Sequence, residues 1–134
     1  MFLLDTDILI YSLKGNEAVV RNLEIHQQAF LAISVISLME LYYGAYKSKQ
    51  RTANLAKVRQ IEDGFTILPV EHPVAETFGM IKSDLEDQGR PLDDFDLIIA
   101  ASALASNLTL VTNNHKHFSR IKGLKLVNWT GESG

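Results

Sequence analysis

Apolar and polar residues fall along this chain in blocks whose spacing distinguishes strands from helices. Phe2-Leu3-Leu4 is an apolar run that meets Asp5-Thr6-Asp7, which reads as a buried strand ending in an acidic cluster. Asp7 to Leu13 is expected to be a short helix stopped near Gly15. Glu17 to Gln28 follows as a helix with Val19, Val20 and Leu23 inward and Ile25 as a further candidate. Ala29 to Ile33 reads as a second strand. Val35 to about Lys47 is an apolar helix. Lys49 to Asp63 is an amphipathic one, with Leu55, Val58 and Ile61 on a face and Gly64 placed as its C-cap. Phe65 to Leu68 is a third strand, closed by Pro69. Pro73 to Gln88 is a helix with proline at its start and Gly89 at its end. Arg90 to Asp93 is a loop, Asp94 to Ser106 a helix and Leu108 to Thr112 a fourth strand. Asn113 to Phe118 is a polar loop or single turn, and Leu124 to Val127 a fifth strand. Thr130 to Gly134 is expected to be a loose tail.

Strands alternating with helices imply crossover connections, hence an α/β fold with a mainly parallel sheet and helices on both faces. The 134 residues suffice for one domain, 1–134, with a substantial core. This organisation puts Asp5 and Thr112, at the ends of the first and fourth strands, on one edge of the sheet. Open α/β sheets bind their ligands at that edge.

Composition narrows the chemistry. There is no cysteine, which removes disulfides and thiolate metal sites and fits a reducing cytoplasm. Apolar runs such as Leu97 to Ala101 are far too short to span a membrane. The N-terminal run lacks a basic region and is interrupted by Asp5 and Asp7, which argues against a signal peptide. The formal net charge of −3 argues weakly against a nucleic-acid binder, because the sum mixes an acidic cluster with basic groups. Those groups are Lys47, Lys49, Arg51, Lys57 and Arg59, then His115, Lys116, Arg120, Lys122 and Lys125; such runs are usually solvated faces.

Three acids stand out from this background. Asp5 closes a buried strand, where an ionised carboxylate is costly without a compensating partner; the plainer alternative is that Asp5 or Thr6 caps the next helix. Asp96 lies at about the third position of a helix that is apolar almost all round. Its neighbours Asp93 and Asp94 are explained as N-cap and first-turn acids, whereas Asp96 sits beside residues bound for the core. It could still serve free backbone N–H groups. Glu40 is the only charge between Val35 and Tyr46; it shares a helix face with Ser37, Tyr43 and Gly44, or closes a capping box with Ser37. Carboxylates from three segments make a hard oxygen site suited to Mg²⁺ or Mn²⁺, which points to phosphoryl-transfer chemistry. The chain has no glycine-rich phosphate loop, no dinucleotide fingerprint and no nucleophile elbow. His115 and His117 are a weak zinc signal, and His26 and His72 read as surface or helix-end residues.

Four blocks in order carry a resemblance. They are Leu3-Leu4-Asp5-Thr6-Asp7, then Ser34-Val35-Ile36-Ser37-Leu38-Met39-Glu40-Leu41-Tyr42-Tyr43-Gly44. Gly89-Arg90-Pro91 with Asp96-Leu97-Ile98-Ile99-Ala100-Ala101 follows, then Leu110-Val111-Thr112-Asn113-Asn114 with Phe118. Together they resemble PIN-domain ribonucleases, specifically the VapC toxins of bacterial and archaeal toxin–antitoxin pairs. Leu124 to Trp129 resembles that family's closing strand. The resemblance implies a PIN-like three-layer α/β sandwich and a carboxylate site for Mg²⁺ or Mn²⁺. It implies cleavage of single-stranded RNA, a homodimer and inhibition by a VapB-type antitoxin. By position, Asp5 and Asp96 match the principal metal ligands and Glu40 the third acid. Thr6 and Thr112 match small polar residues beside the site, with Asn113 as a further support, and Asp7 stands where asparagine is more usual. A fourth acid often follows the fourth strand in the family. Here Asn113-Asn114-His115-Lys116-His117 offers none, which bears on a second metal. The alternatives are a non-catalytic PIN-like RNA-binding or structural module, or a Mg²⁺-dependent phosphatase. The helices from Val35 to Asp63 carry surplus apolar surface in Leu41, Tyr42, Tyr43, Tyr46, Leu55, Val58 and Ile61, which is expected to form an interface.

Overall fold

The computed structural model describes residues 1–131. β1 (Phe2–Leu4) leads through α1 (Thr6–Leu13) and α2 (Glu17–Ile25) to β2 (Leu31–Ser34). α3 (Val35–Lys47) and α4 (Arg51–Gly64) then lead to β3 (Thr66–Leu68). α5 (His72–Asp87) and α6 (Asp94–Ala105) precede β4 (Thr109–Val111), and the short α7 (His115–Phe118) precedes β5 (Leu126–Val127). All strand pairs are parallel, in the order β3-β2-β1-β4-β5.

Both faces of this sheet are covered, so its strands are mostly apolar, interrupted only at their ends by Ser34, Thr66 and Thr109, instead of alternating. Leu3 and Leu4 are both fully buried but point into different cores. Leu3 joins Leu97, Ile99, Leu110 and Phe118 on the side of α5, α6 and α7. Leu4 joins Ile8, Leu9, Ile33, Leu41 and Val111 on the side of α1 to α4. α6 packs through Leu97, Ile99, Ala100, Ala101 and Ala103, all buried, and its alanines let the helix lie close to the sheet. Each buried leucine or isoleucine contributes roughly 1.5–3 kcal/mol of transfer free energy.

The strand order places the site. From β1 the chain steps outward to β2 and β3, then crosses back to β4 and β5 on the other side of β1. Connections leaving β1 and β4 therefore diverge, and a crevice opens at the carboxyl ends of these two strands. Leu4 is in register with Val111, and the Asp5 N–H donates to the Val111 carbonyl at 2.9 Å. Asp5 and Thr112 thus emerge side by side.

Several boundaries differ from the sequence reading. α1 begins at Thr6, because Asp5 caps it. α2 ends at Ile25, three residues before Gln28; Ile25 is 66% exposed and Val20 36%, so only Val19 is fully inward and Leu23 packs at the core margin. β2 is shifted to Leu31–Ser34 by pairing with β1, since Phe2 lies opposite Leu31. Gly64 is the last residue of α4 and Phe65 its C-cap; β5 keeps only Leu126 and Val127 of its expected run. Leu41, Leu55, Val58 and Ile61, offered as surplus surface, are buried within the molecule, and only Tyr43 and Tyr46 of that set remain exposed. Thr130 is 6% exposed and packed, contrary to the loose tail expected from Thr130 on; residues 132–134 of that tail lie outside the described residues. Among the described residues no helix is long and apolar enough to cross a membrane.

Candidate active site

The crevice is built from four chain segments. Asp5 follows β1 and is 5% exposed. Its Oδ1 accepts the Thr6 N–H at 2.8 Å, and its Oδ2 accepts the Thr112 hydroxyl at 2.8 Å. The capping reading of Asp5 holds, and it leaves the second oxygen to the Thr112 hydroxyl: one oxygen caps α1, the other is held from β4. Asp7, in the first turn of α1, accepts the Asn113 N–H on Oδ2 at 3.1 Å, with Thr112 Oγ1 at 3.5 Å. Its Oδ1 is buried and has no hydrogen-bond partner among the described residues.

Glu40 arrives from α3. The sequence left it between a capping box and a site role, and the structure decides against the box. α3 is capped by Ser34, whose Oγ accepts the Ile36 N–H at 3.0 Å. Ser37 lies one turn in and is buried; its Oγ is 2.9 Å from Thr6 Oγ1. Thr6 Oγ1 in turn donates to Glu40 Oε1 at 2.8 Å. Asp96 sits in the first turn of α6, while Asp93 makes the capping bond, to the Phe95 N–H at 3.2 Å. Asp94 points away to an exposed ion pair with Lys82 at 2.9 Å.

The three aspartates are perturbed by burial and by neighbouring charge. Burial, then the neighbouring Asp7 charge, pushes the Asp5 carboxyl up to about 7, against the hydrogen bonds from Thr112 and Thr6. Asp96 is pushed up to about 6 by burial, then by Asp93, Glu40 and Asp7. Burial raises Asp7 as well, partly offset by the Asn113 N–H. Asp5 and Asp7 thus interact closely, and Asp96 lies within reach of their charge and of Glu40. A structural carboxylate is normally lowered by its partners; a cluster raised in concert is short of positive charge.

That shortage fits a hard divalent cation. The donors are carboxylates and hydroxyls, and an orphaned buried oxygen, Asp7 Oδ1, stands among them. No three acid or histidine side chains among the described residues are gathered tightly enough to enclose a bare ion. Mg²⁺ does not require that, since it keeps several waters and is held through one or two carboxylates. The loop after β4 closes with the single helical turn α7, one of the two forms expected. His117 Nδ1 pairs with Asn114 Nδ2 at 2.9 Å, and His115 Nε2 is buried without a partner among the described residues. His72 starts α5 at the surface, and His26 caps α2 and stacks on Trp129 with ring centroids 4.6 Å apart.

A cavity of about 530 Å³, lined by Thr6, Ile10, Met39, Glu40, Tyr43 and Phe95, opens beside the acids. Of the residues around the site, sequence reasoning missed Ser37, Tyr11, Asn128 and Thr130. Each is polar and joined to the site only through long-range contacts; the sole local signal was Ser37 sharing a helix face with Glu40.

Comparisons with known proteins agree with this geometry. Residues 2–124 match the model of the PIN domain family. The chain is 38% identical over 129 residues to the tRNA(fMet)-specific endonuclease VapC of Shigella flexneri, covering 96% of this chain and 98% of the relative. It is 37% identical to Ribonuclease VapC2 of Rickettsia felis, again covering 96% and 98%. Among solved structures, VapBC2 from Rickettsia felis bound to a DNA fragment from their promoter superposes with a TM-score of 0.91 at 37% identity, over 96% of this chain and 98% of that one. DNA-bound VapBC from Salmonella typhimurium gives 0.90 at 34% identity, over 96% and 97%.

Proposed function

The chain belongs to the PIN domain family, and from that membership we propose that it is a metal-dependent endoribonuclease toxin of the VapC kind, cleaving single-stranded RNA and held inactive by a VapB-type antitoxin. The observation that carries this reading is that Asp5, Asp7 and Asp96 meet at the β1/β4 crevice with carboxyls raised by burial and neighbouring acids, with Glu40 beside Asp96.

Asp5, Asp96 and Glu40 would hold Mg²⁺ or Mn²⁺, with Asp7 adjoining. Bound there, the cation supplies charge that polarises a phosphoryl oxygen and eases ionisation of water. The protein's own contribution is positional. Thr112 fixes the Oδ2 of Asp5, and Thr6 fixes the Oε1 of Glu40. With Oε1 held, Oε2 of Glu40 is left to accept a proton from an attacking water. The adjoining cavity, with Tyr43 and Phe95 at its wall, gives room for a nucleotide next to the acids.

The antitoxin would seat its apolar side chains in the groove between α1, α3 and α4, where Ile10, Leu13, Leu41, Ala45 and Val58 line a cavity of about 350 Å³ that reaches Glu40. A basic residue of that partner would then meet the acids. A homodimer and a cytoplasmic location complete the proposal. Cleavage of a single-stranded RNA by antitoxin-free protein, with Mg²⁺, with Mn²⁺ and with chelator, is the test. Cleavage that survives the chelator would remove the metal. Folded protein that cleaves no RNA with either cation would overturn the nuclease.

A further inference from the structure

Behind the acid cluster lies a polar chain that no metal ligand accounts for. Asn113 touches α1 twice. Its backbone N–H donates to Asp7 Oδ2 at 3.1 Å, and its side-chain Nδ2 donates to the Tyr11 hydroxyl oxygen, one turn further along the helix, at 3.2 Å. Its side-chain oxygen faces the other way and accepts from Asn128 Nδ2 at 2.9 Å, with Thr130 Oγ1 at 3.2 Å. The Asn128 oxygen accepts the Thr130 N–H at 3.0 Å and lies 2.9 Å from Thr130 Oγ1.

The sense of this chain is determined at one end. A backbone N–H can only donate, so Thr130 N–H sets the Asn128 oxygen toward itself. Asn128 must then present its NH₂ to Asn113, and Asn113 must present its own NH₂ to Tyr11. Each amide has a single workable orientation. The segment carrying Asn128 and Thr130 is itself anchored. Trp129 between them is 3% exposed, stacks on His26 and meets the edge of Phe2 at 5.1 Å. Asn22 Nδ2 reaches the Trp129 carbonyl at 3.4 Å.

We propose that Asn128 and Thr130, with Tyr11, are positioning residues that act through the Asn113 amide to set Asp7 and the loop after β4 against Asp5. The same loop carries Thr112, whose hydroxyl holds Asp5 and accepts the Asn114 N–H at 2.9 Å. Loosening Asn113 therefore loosens both aspartates. Asn128 and Thr130, after β5, are thereby part of the active site's support. Its effect on cleavage rests on the endoribonuclease reading above.

The test uses full-length, antitoxin-free protein, three single variants and one double variant. Tyr11→Phe and Thr130→Val each remove one hydroxyl at nearly constant shape, and Thr130→Ser restores the hydroxyl. Three quantities are read: amide exchange of the Asn113 N–H, affinity for Mg²⁺ alone without RNA, and kcat and KM on a single-stranded RNA. Tyr11→Phe and Thr130→Val should speed Asn113 exchange and weaken Mg²⁺ binding, and lower kcat about 10-fold to 100-fold, the usual loss for an outer-shell partner, at little-changed KM. Thr130→Ser should recover most of each. The Tyr11→Phe, Thr130→Val double variant should be far less than multiplicative, because both hydroxyls act on the one Asn113 amide. Wild-type exchange and Mg²⁺ affinity in both single variants would overturn the proposal, as would multiplicative losses or a Thr130→Ser protein no better than Thr130→Val. A wild-type protein that binds Mg²⁺ but cleaves no RNA would refute the nuclease reading instead; exchange and Mg²⁺ affinity would still judge the support chain.

Discussion

Thr6 and Glu40, one at the head of α1 and the other in the second turn of α3, are joined by a hydrogen bond of 2.8 Å from the threonine hydroxyl to Oε1. The bond ties α1 to α3, and Ser37 backs it at 2.9 Å from Thr6 Oγ1. Glu40 is half-buried, so its orientation is set by this contact and not by solvent. Thr6→Val keeps the shape and removes the hydroxyl. It should lower kcat about tenfold, as loss of an outer partner of a ligand does, while costing only about 1 kcal/mol of stability. A kcat equal to wild type in steady-state cleavage would show that Glu40 needs no such support.

Asp5→Asn and Asp96→Asn should each reduce RNA cleavage by at least about a hundredfold, since loss of even an outer partner reaches that size. Both should also raise the melting temperature of the metal-free protein at pH 8, because each removes a charge that burial and neighbouring acids oppose. Calorimetry in chelator and a cleavage assay read the two effects on one preparation. A folded Asp96→Asn protein that retains metal-dependent cleavage would take that residue out of the site.

The pH dependence of stability has a definite sign. Asp5 is raised from 3.8 to about 7 and Asp96 from 3.8 to about 6, and Asp7 is raised too. Between these limits the folded protein binds more protons than the unfolded chain. Stability from these groups is therefore complete below the unfolded value and is lost as pH rises through the folded ones. In chelator, the melting temperature of wild type relative to Asp5→Asn should fall steadily from about pH 4 to about pH 7. Saturating Mg²⁺ should flatten that difference. A difference that grows in favour of wild type with rising pH would contradict the raised values.

RNA-free protein should bind one Mg²⁺ measurably, because a second cation nearby is repelled by the first and the loop after β4 offers it only amides and imidazoles. The buried Oδ1 of Asp7, without a partner among the described residues, is a group able to change that count. Asp7→Asn keeps an oxygen for the Asn113 N–H and should weaken Mg²⁺ binding less than Asp96→Asn does. If His115 or His117 contributes, Mn²⁺ should support faster cleavage than Mg²⁺. Calorimetric titration that finds two Mg²⁺ ions of similar affinity would make Asp7 a full ligand of a second site.

What could be read without coordinates was local. The apolar run Phe2 to Leu4 against Asp5, the alanine-rich run after Asp96, and glycine at the end of α5, where Gly89 takes a φ of +68°, each have a meaning within a few residues of themselves. They were enough for parallel strands, crossover helices and an acid-lined strand edge, because hydrophobic period and helix capping are set by neighbours in the chain.

Partnership across the chain was decided only by the tertiary structure. Glu40 could equally have closed a capping box by its spacing from Ser37; the packing of α1 beside α3 gave it Thr6 instead. Thr130 looked like the start of a free tail, and the burial of Trp129 against Phe2 and His26 drew it under the active-site loop. Asp5 and Thr112, 107 positions apart, meet because β1 and β4 are neighbours in one sheet, an order no local pattern encodes. Short-range periodicity selects each element. The burial of both sheet faces selects their order, and that order brought Asp5, Asp7, Glu40 and Asp96 together.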